Sequence, residues 1–312
     1  MSNEAAPDTS TANTGSSTKW IALAAMMFAV SMMFIDQTIV SIAIPTIQTE
    51  LGLSDAGVQW VINGYLLSLS AFFALGGRLS DILGHKKMVL LGVTIFAVSS
   101  ALCGATPASS AAEAWLIIFR IVQGIGAALL FPAALAIVVS VFPLKERGKA
   151  LALFFGITGG LTAIGPILGG YLSEWTWRAI FWVNVPVAII AIILTLLAKF
   201  HPTHKREPLD YKGAVLIALG MGFSVLGLQQ ASSWGWGSWK TIGSIVLGLA
   251  LLVIFVKVET KVKIPLIKVE IFKDRAFFVD NAVLFFAMMA FVPVFFFGSV
   301  YSQAVLDYNA SN

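Results

Sequence analysis

Charge is scarce in this chain. Only 12% of its 312 residues are Asp, Glu, Lys or Arg, where an ordinary soluble domain carries about 25%, and 58% are apolar, where about 45–50% is usual. That balance excludes a water-soluble globule. Cysteine is scarcer still: Cys103 stands alone, so no internal disulfide can form. The phosphate-cradling loop of ATP-driven proteins is missing, since Gly148-Lys149 is followed by Ala150 where Ser or Thr is required. No nucleophile, base and orienting acid assemble into a catalytic set, so no enzyme and no cofactor is expected. His201 and His204 have the spacing of a metal pair, but Pro202 breaks the helix such spacing needs, and no metal is expected. Residues 1–18 are polar and lack a basic n-region, which predicts a disordered cytoplasmic tail rather than a cleaved signal.

What the chain does have is apolar runs of about 20 residues, the length that crosses a bilayer. They cover Trp20–Ile44, Val58–Leu75, Met88–Ala105, Ala114–Phe142, Ala150–Leu172, Ala179–Leu197, Gly213–Leu228, Ile242–Val256 and Phe277–Val300. The fold class expected is therefore an all-α membrane protein, with the seventh and eighth runs short enough to be buried or tilted segments. Basic residues in short loops stay on the cytoplasmic side. With alternating loops, Arg178 and Lys240 fall on one face, Arg120 lies inside a span, and the other 17 of the 20 Lys and Arg residues share the opposite face. This predicts a cytoplasmic amino terminus in a multi-pass inner (plasma) membrane protein. The same distribution accounts for the basic balance without a nucleic-acid partner.

Short loops join the first six runs, giving a six-span half over residues 19–198. A charged connector with two further spans follows over residues 199–260. Residues 261–312 read as the start of a second half that is cut off. The basic segment Lys257–Phe277 alternates apolar and charged residues, as expected of a loop held against anionic membrane lipid. Six-span halves are a building block of secondary transporters, whose substrate sites lie between two such halves. On that logic residues 1–312 alone are not expected to transport.

Of the 16 carboxylates only Asp36 sits well inside a span, and an ionisable residue there is a functional hypothesis by default. Asp36 is 16 residues past Trp20, about 24 Å along a helix, and so roughly 6 Å from the outer face of a core about 30 Å thick. Arg120, six residues into an inward-running span, is about 9 Å from that face. Opposite charges at similar depth suggest a proton-coupling pair, because a guanidinium nearby favours a charged carboxylate while burial disfavours it. A static ion pair joining two helices is the alternative. Gln123, on the same helical face as Arg120, is a candidate substrate-cavity group. Asn63 and Tyr65 of span two complete that set.

The stretch GGRLSDILGHKK, residues 76–87, interrupts the apolar chain between spans two and three. Gly77 and Gly84 suit a tight reversal, and Asp81 can cap or pair at a helix end. Its order, Gly77-Arg78-Leu79-Ser80-Asp81-Ile82-Leu83-Gly84-His85-Lys86, resembles the cytoplasmic-loop motif of the major facilitator superfamily. Ile82 stands where the family has arginine, and Arg147 in the next cytoplasmic loop is a candidate substitute. FIDQTIVSIAIP in span one and RIVQGIGAA in span four resemble two further motifs of that family. GITGGLTAIGPILGG in span five resembles its antiporter glycine-proline motif, here Gly156, Gly160, Gly165, Pro166 and Gly169. These glycines form small-xxx-small pairs suited to close helix packing, with Pro166 as a kink.

WTWRAIFWVNVPVAII resembles the entry to span six in the drug:proton antiporter branch with fourteen spans, which two extra spans after the sixth also fit. The resemblance implies a major facilitator type bundle, gated at Gly77, Arg78, Asp81, Gly84, Lys86 and Arg147. Its implied partners are membrane lipid, protons and an amphipathic drug or toxic metabolite carried outward. The sequence specifies no accessory envelope protein. A non-transporting membrane sensor, a scaffold or an inert truncated product is the rival reading.

Overall fold

The computed structural model describes residues 16–162, 164–198 and 208–304. Most of the expected tail, His201 and His204, the first part of the connector and the last eight residues lie outside that range. Every regular element among the described residues is helical. Four long helices come first: α1 Ser16–Leu51, α2 Asp55–Leu83, α3 His85–Gly104 and α4 Ala112–Val141. Span five is described in two pieces on either side of residue 163, α5 Leu144–Thr162 and α6 Ile164–Trp175. Span six is divided into α7 Ala179–Trp182 and α8 Asn184–Leu197. Then follow α9 Tyr211–Gln229, the short α10 Ala231–Trp234, α11 Trp239–Glu259, a 3₁₀ turn Val269–Lys273 and α12 Arg275–Ala304. Among the described residues eight segments are long and apolar enough to cross a membrane. They correspond to the first eight expected spans, and the ninth falls within α12.

Boundaries moved where polar residues continue a helix instead of ending it. α1 runs on past Ile44 through Pro45 to Leu51, so Asp36 is 15 residues from the helix end, about 22 Å. The charged stretch after Gly77 is the continuation of α2. The reversal is made at Gly84 alone, whose φ of 97° is the left-handed region that favours glycine. Spans seven and eight gain length because side chains cap their first turns. Asp210 Oδ1 accepts from the Lys212 and Gly213 amides, and Ser238 Oγ from the Lys240 amide.

Glycine sets how α2, α3 and α4 pack. A methyl group at Gly76 of α2 would run into the backbone carbonyl of Ala128 in α4, and one at Gly124 of α4 into the carbonyl of Tyr65 in α2. One at Gly92 of α3 would sit 2.8 Å from the Gly126 carbonyl oxygen, and one at Gly126 would sit 2.7 Å from the Phe96 amide. α4 is thus pressed against α2 on one side and α3 on the other at backbone-to-backbone distance, the geometry small residues permit inside membranes. α1 closes the bundle against α4, α5, α6 and α8.

Two separate apolar cores result. One includes Met26, Met33, Phe96, Ala97, Ala127, Leu130 and Ala188. The other includes Ile39, Ala43, Val61, Cys103, Leu116 and Phe181. Between Met33 and Ile39, Ala97 and Cys103, Leu116 and Ala127, and Phe181 and Ala188, the four segments each contribute to a polar layer. A third, smaller core formed by Ala214, Ile217, Phe255 and Leu266 joins α9 and α11 and packs on Ala74 and Leu75 of α2.

Candidate functional site

The polar layer is built around Asp36. Its carboxylate is fully buried and ion-paired to Arg120, which is 2% exposed. Arg120 Nη1 donates to Asp36 Oδ2 and, at 2.8 Å, to Gln123 Oε1, while its Nε donates to the Val61 carbonyl at 3.0 Å. The Tyr65 ring lies beneath the guanidinium, 4.5 Å from Cζ to the centroid, adding a cation–π contact. The other carboxylate oxygen, Oδ1, accepts from Gln123 Nε2 at 2.9 Å and from Asn184 Nδ2 at 3.3 Å. Asn184 also donates to Ser100 Oγ at 2.9 Å, and Ser100 in turn donates to the Phe181 carbonyl at 2.9 Å. Both carboxylate oxygens are therefore occupied. Taking such an ion out of water costs several kcal/mol, which only this density of partners offsets.

Five helices meet at one carboxylate: α1 supplies Asp36, α2 Tyr65 and the Val61 carbonyl, α3 Ser100, α4 Arg120 and Gln123, and α8 Asn184. Span six runs through Val183 with helical angles, the Val183 amide donating to the Ala179 carbonyl, so Asn184 projects from a nearly continuous helix in which Pro186 only withholds a donor from the Trp182 carbonyl. Sequence reasoning found Asp36, Arg120, Gln123 and Tyr65 but missed Asn184 and Ser100. Small neutral polar residues recur throughout the spans, and nothing in their spacing distinguishes these two.

Gln123 and Tyr65 are buried inside the cluster and brace the ion pair, whereas Asn63 stands apart, half-buried on α2. At the end of the bundle that carries the Gly84 turn, Asp81 is exposed on the last turn of α2. Beside it Ser80 Oγ lies 3.1 Å from His85 Nδ1 across the Gly84 turn. Lys86 Nζ donates to the Leu196 and Ala198 carbonyls, both at 3.3 Å, holding the start of α3 to the end of span six. A cation there also complements the carbonyl end of α8. Arg147 Nε donates to the Phe142 carbonyl, closing the end of α4. Arg78 is half-buried on α2, and a methyl at Gly77 would lie 3.7 Å from Pro132 Cβ of α4, an ordinary contact.

The span-five motif divides in two. Gly165 and Gly169 face α1: a methyl at Gly165 would collide with the Thr38 hydroxyl, and one at Gly169 would lie 3.1 Å from Ile39 Cγ1. Gly156 and Gly160 are exposed, with no described atom near enough to meet an added methyl. Pro166 lies one residue beyond the closest approach of the two helices.

Comparison with known proteins places this geometry in a family. The chain is 35% identical over 289 residues to the tetracenomycin C resistance and export protein of Streptomyces glaucescens, covering 92% of this chain and 53% of that one. It is 34% identical over 294 residues to the puromycin resistance protein pur8 of Streptomyces alboniger, covering 93% and 58%. It is 30% identical over 308 residues to multidrug resistance protein 3 of Bacillus subtilis, covering 98% and 59%. The chain thus spans somewhat more than half the length of these curated relatives. Among solved structures, a bacterial homologue of the human drug peptide transporters PepT1 and PepT2 shares the fold, with a TM-score of 0.52 at 17% identity over 76% of this chain and 57% of that one. The family model for the Major Facilitator Superfamily matches residues 26–312, and the chain belongs to that superfamily.

Proposed function

We propose that this chain is the amino-terminal portion of a proton-coupled exporter of amphipathic drugs or toxic metabolites, of the branch with fourteen spans. The observation that carries the reading is the buried Asp36–Arg120 pair, braced by Gln123 and Asn184 at the junction of five helices. Arginine stays protonated in proteins, so Asp36 is the member of the pair able to change charge. The names of the resistance and export relatives support outward transport of small organic compounds. An apolar aromatic wall fits such cargo: the Phe131 ring packs 6.3 Å from Phe34 and 5.7 Å from Phe73, and Phe73 is 40% exposed. The extra pair α9 and α11, packed on α2, supports the fourteen-span assignment.

The complete protein in proteoliposomes is expected to accumulate a fluorescent amphipathic cation or an antibiotic against its gradient when only a pH difference is imposed. Dissipating that difference is expected to stop accumulation. Accumulation that persists unchanged without it would exclude proton coupling.

Orientation has its own test. In a Cys103→Ala background, Lys87→Cys is expected to resist an impermeant thiol reagent added to intact cells, while Ser54→Cys reacts. Both positions are exposed in the fold, so only the membrane separates them. Labelling of both from outside would overturn a cytoplasmic amino terminus.

A further inference from the structure

Pro166 carries no N–H, so the carbonyl of Thr162, four residues earlier, loses the donor an α-helix would give it. That carbonyl has a partner from another helix: Thr38 Oγ1 of α1 donates to it at 3.1 Å. Gly165 makes the approach available, since any side chain there would occupy the position of the Thr38 hydroxyl. Three side-chain positions of spans one and five therefore build one contact to the Thr162 carbonyl. Pro166 creates the acceptor, Gly165 clears the space, and Thr38 supplies the proton.

The same hydroxyl lies 3.1 Å from the Ile35 carbonyl of its own helix. A hydroxyl has one proton to donate, so it bonds to span five or back to span one, but not fully to both. Were span five to withdraw, the hydroxyl would return to the Ile35 carbonyl and nothing on α1 would be left unsatisfied. Thr38 is two residues beyond Asp36, so a shift of α1 that follows a change in the Asp36 ion pair displaces Thr38 with it.

We propose that Thr38 is a positioning residue that connects the buried Asp36 layer to span five, by donating to the carbonyl that Pro166 leaves open and releasing it when span five moves. The proposal rests on the transport reading above for its consequence, but the bond itself can be tested without transport.

The experiment compares Thr38→Val, Thr38→Ser, Pro166→Ala and the double variant Thr38→Val/Pro166→Ala in the complete protein. The first readout is the thermal midpoint in detergent. Thr38→Val, which keeps the shape and removes the hydroxyl, is expected to lower it by about 2–4 °C, and Thr38→Ser to retain it. With Pro166→Ala the residue-166 amide supplies the missing donor, so adding Thr38→Val is expected to change nothing further. The second readout is the initial rate of gradient-driven efflux. Thr38→Val is expected to alter the maximal rate by roughly tenfold at unchanged KM, with Ser restoring it. Equal thermal losses with and without Pro166, or a Ser variant as impaired as Val, would overturn the proposal. So would an unaltered efflux rate in Thr38→Val. Failure of the unsubstituted protein to export anything would count against the transport reading alone, and the thermal cycle would still decide the bond.

Discussion

Asp36→Asn is expected to abolish pH-driven export, a loss of at least about 100-fold in the initial rate, while binding or exchange of a neutral substrate persists. Asparagine keeps the size of the side chain and one acceptor oxygen for Arg120, Gln123 or Asn184. What disappears is the negative charge and with it the ability to take up and give back a proton. The complication is the guanidinium left behind. Removing one partner of a buried ion pair typically costs about 3–5 kcal/mol, because the other charge remains without compensation. Asp36→Asn alone is therefore expected to lower the thermal midpoint as well as the transport rate.

The double variant Asp36→Asn/Arg120→Gln separates these effects. It removes both charges, and glutamine can still donate across the layer, so most of the lost stability is expected to return. Proton-driven export is not. If the double variant regains both stability and accumulation driven by a pH difference, Asp36 is a structural partner of Arg120 and the proton site lies elsewhere. Arg120→Lys is expected to be milder than Arg120→Ala in the same assay. It preserves the cation but cannot reach Asp36, Gln123 and the Val61 carbonyl together as the guanidinium does.

The second large effect concerns packing. Gly76→Ala is expected to remove most of the folded protein from the membrane fraction, and Gly156→Ala to leave its amount unchanged or slightly raised. Both substitutions relieve a helix interior of glycine, a gain of up to about 1 kcal/mol in propensity, so their difference isolates the surroundings. At Gly76 the new methyl would meet the Ala128 carbonyl, with the Ala128 carbonyl carbon at 2.8 Å and Leu129 Cα at 3.1 Å. Those are backbone atoms of a helix held in turn by α3, so no side chain can swing aside. Overpacking of this kind typically costs about 1–3 kcal/mol and more where the wall is rigid. At Gly156 nothing described lies within reach. Fluorescence-detected size-exclusion profiles of the two variants would settle the comparison, and equal yields would show that α2 and α4 tolerate separation.

These two predictions also mark what the sequence conveyed. Asp36 and Arg120 were legible because charge is rare in this chain and both lie inside apolar runs. The spanning segments were legible from run length, since lipid leaves a spanning helix little freedom in size. Helix ends were less so: Thr46, Gln48 and Glu50 look like a loop but extend α1, and the charges after Gly77 look like a turn but extend α2. A polar residue does not stop a helix that has left the apolar core. The glycines were the hardest to read. The span-five spacing drew attention to Gly156 and Gly160, which face outward among the described residues, while Gly76, Gly92, Gly124 and Gly126 set the actual helix separations. A missing side chain has meaning only once its neighbour is known. Asn184 was hidden for the same reason, as its role depends on a carboxylate 148 residues away in the chain.

That separation bears on how the protein is made. Ribosomes deliver roughly 5–20 residues per second. Asp36 precedes Arg120 by 84 residues and Asn184 by 148, so the carboxylate emerges roughly 4–17 s before its guanidinium and roughly 7–30 s before its amide. Throughout that interval span one must enter the bilayer with an acid that costs about 2.5–3.5 kcal/mol near a helix centre. The apolar residues around it, with a mean hydropathy of 1.8, must carry that load alone. α2, α3 and α4 are adjacent in the chain and meet each other through glycine, so they can assemble as they leave the translocon. α1 cannot complete its contacts until α8 has been synthesised. α1 is thus locked in place only after the later spans it packs against, and a chain released before Asn184 leaves Asp36 without its full set of partners.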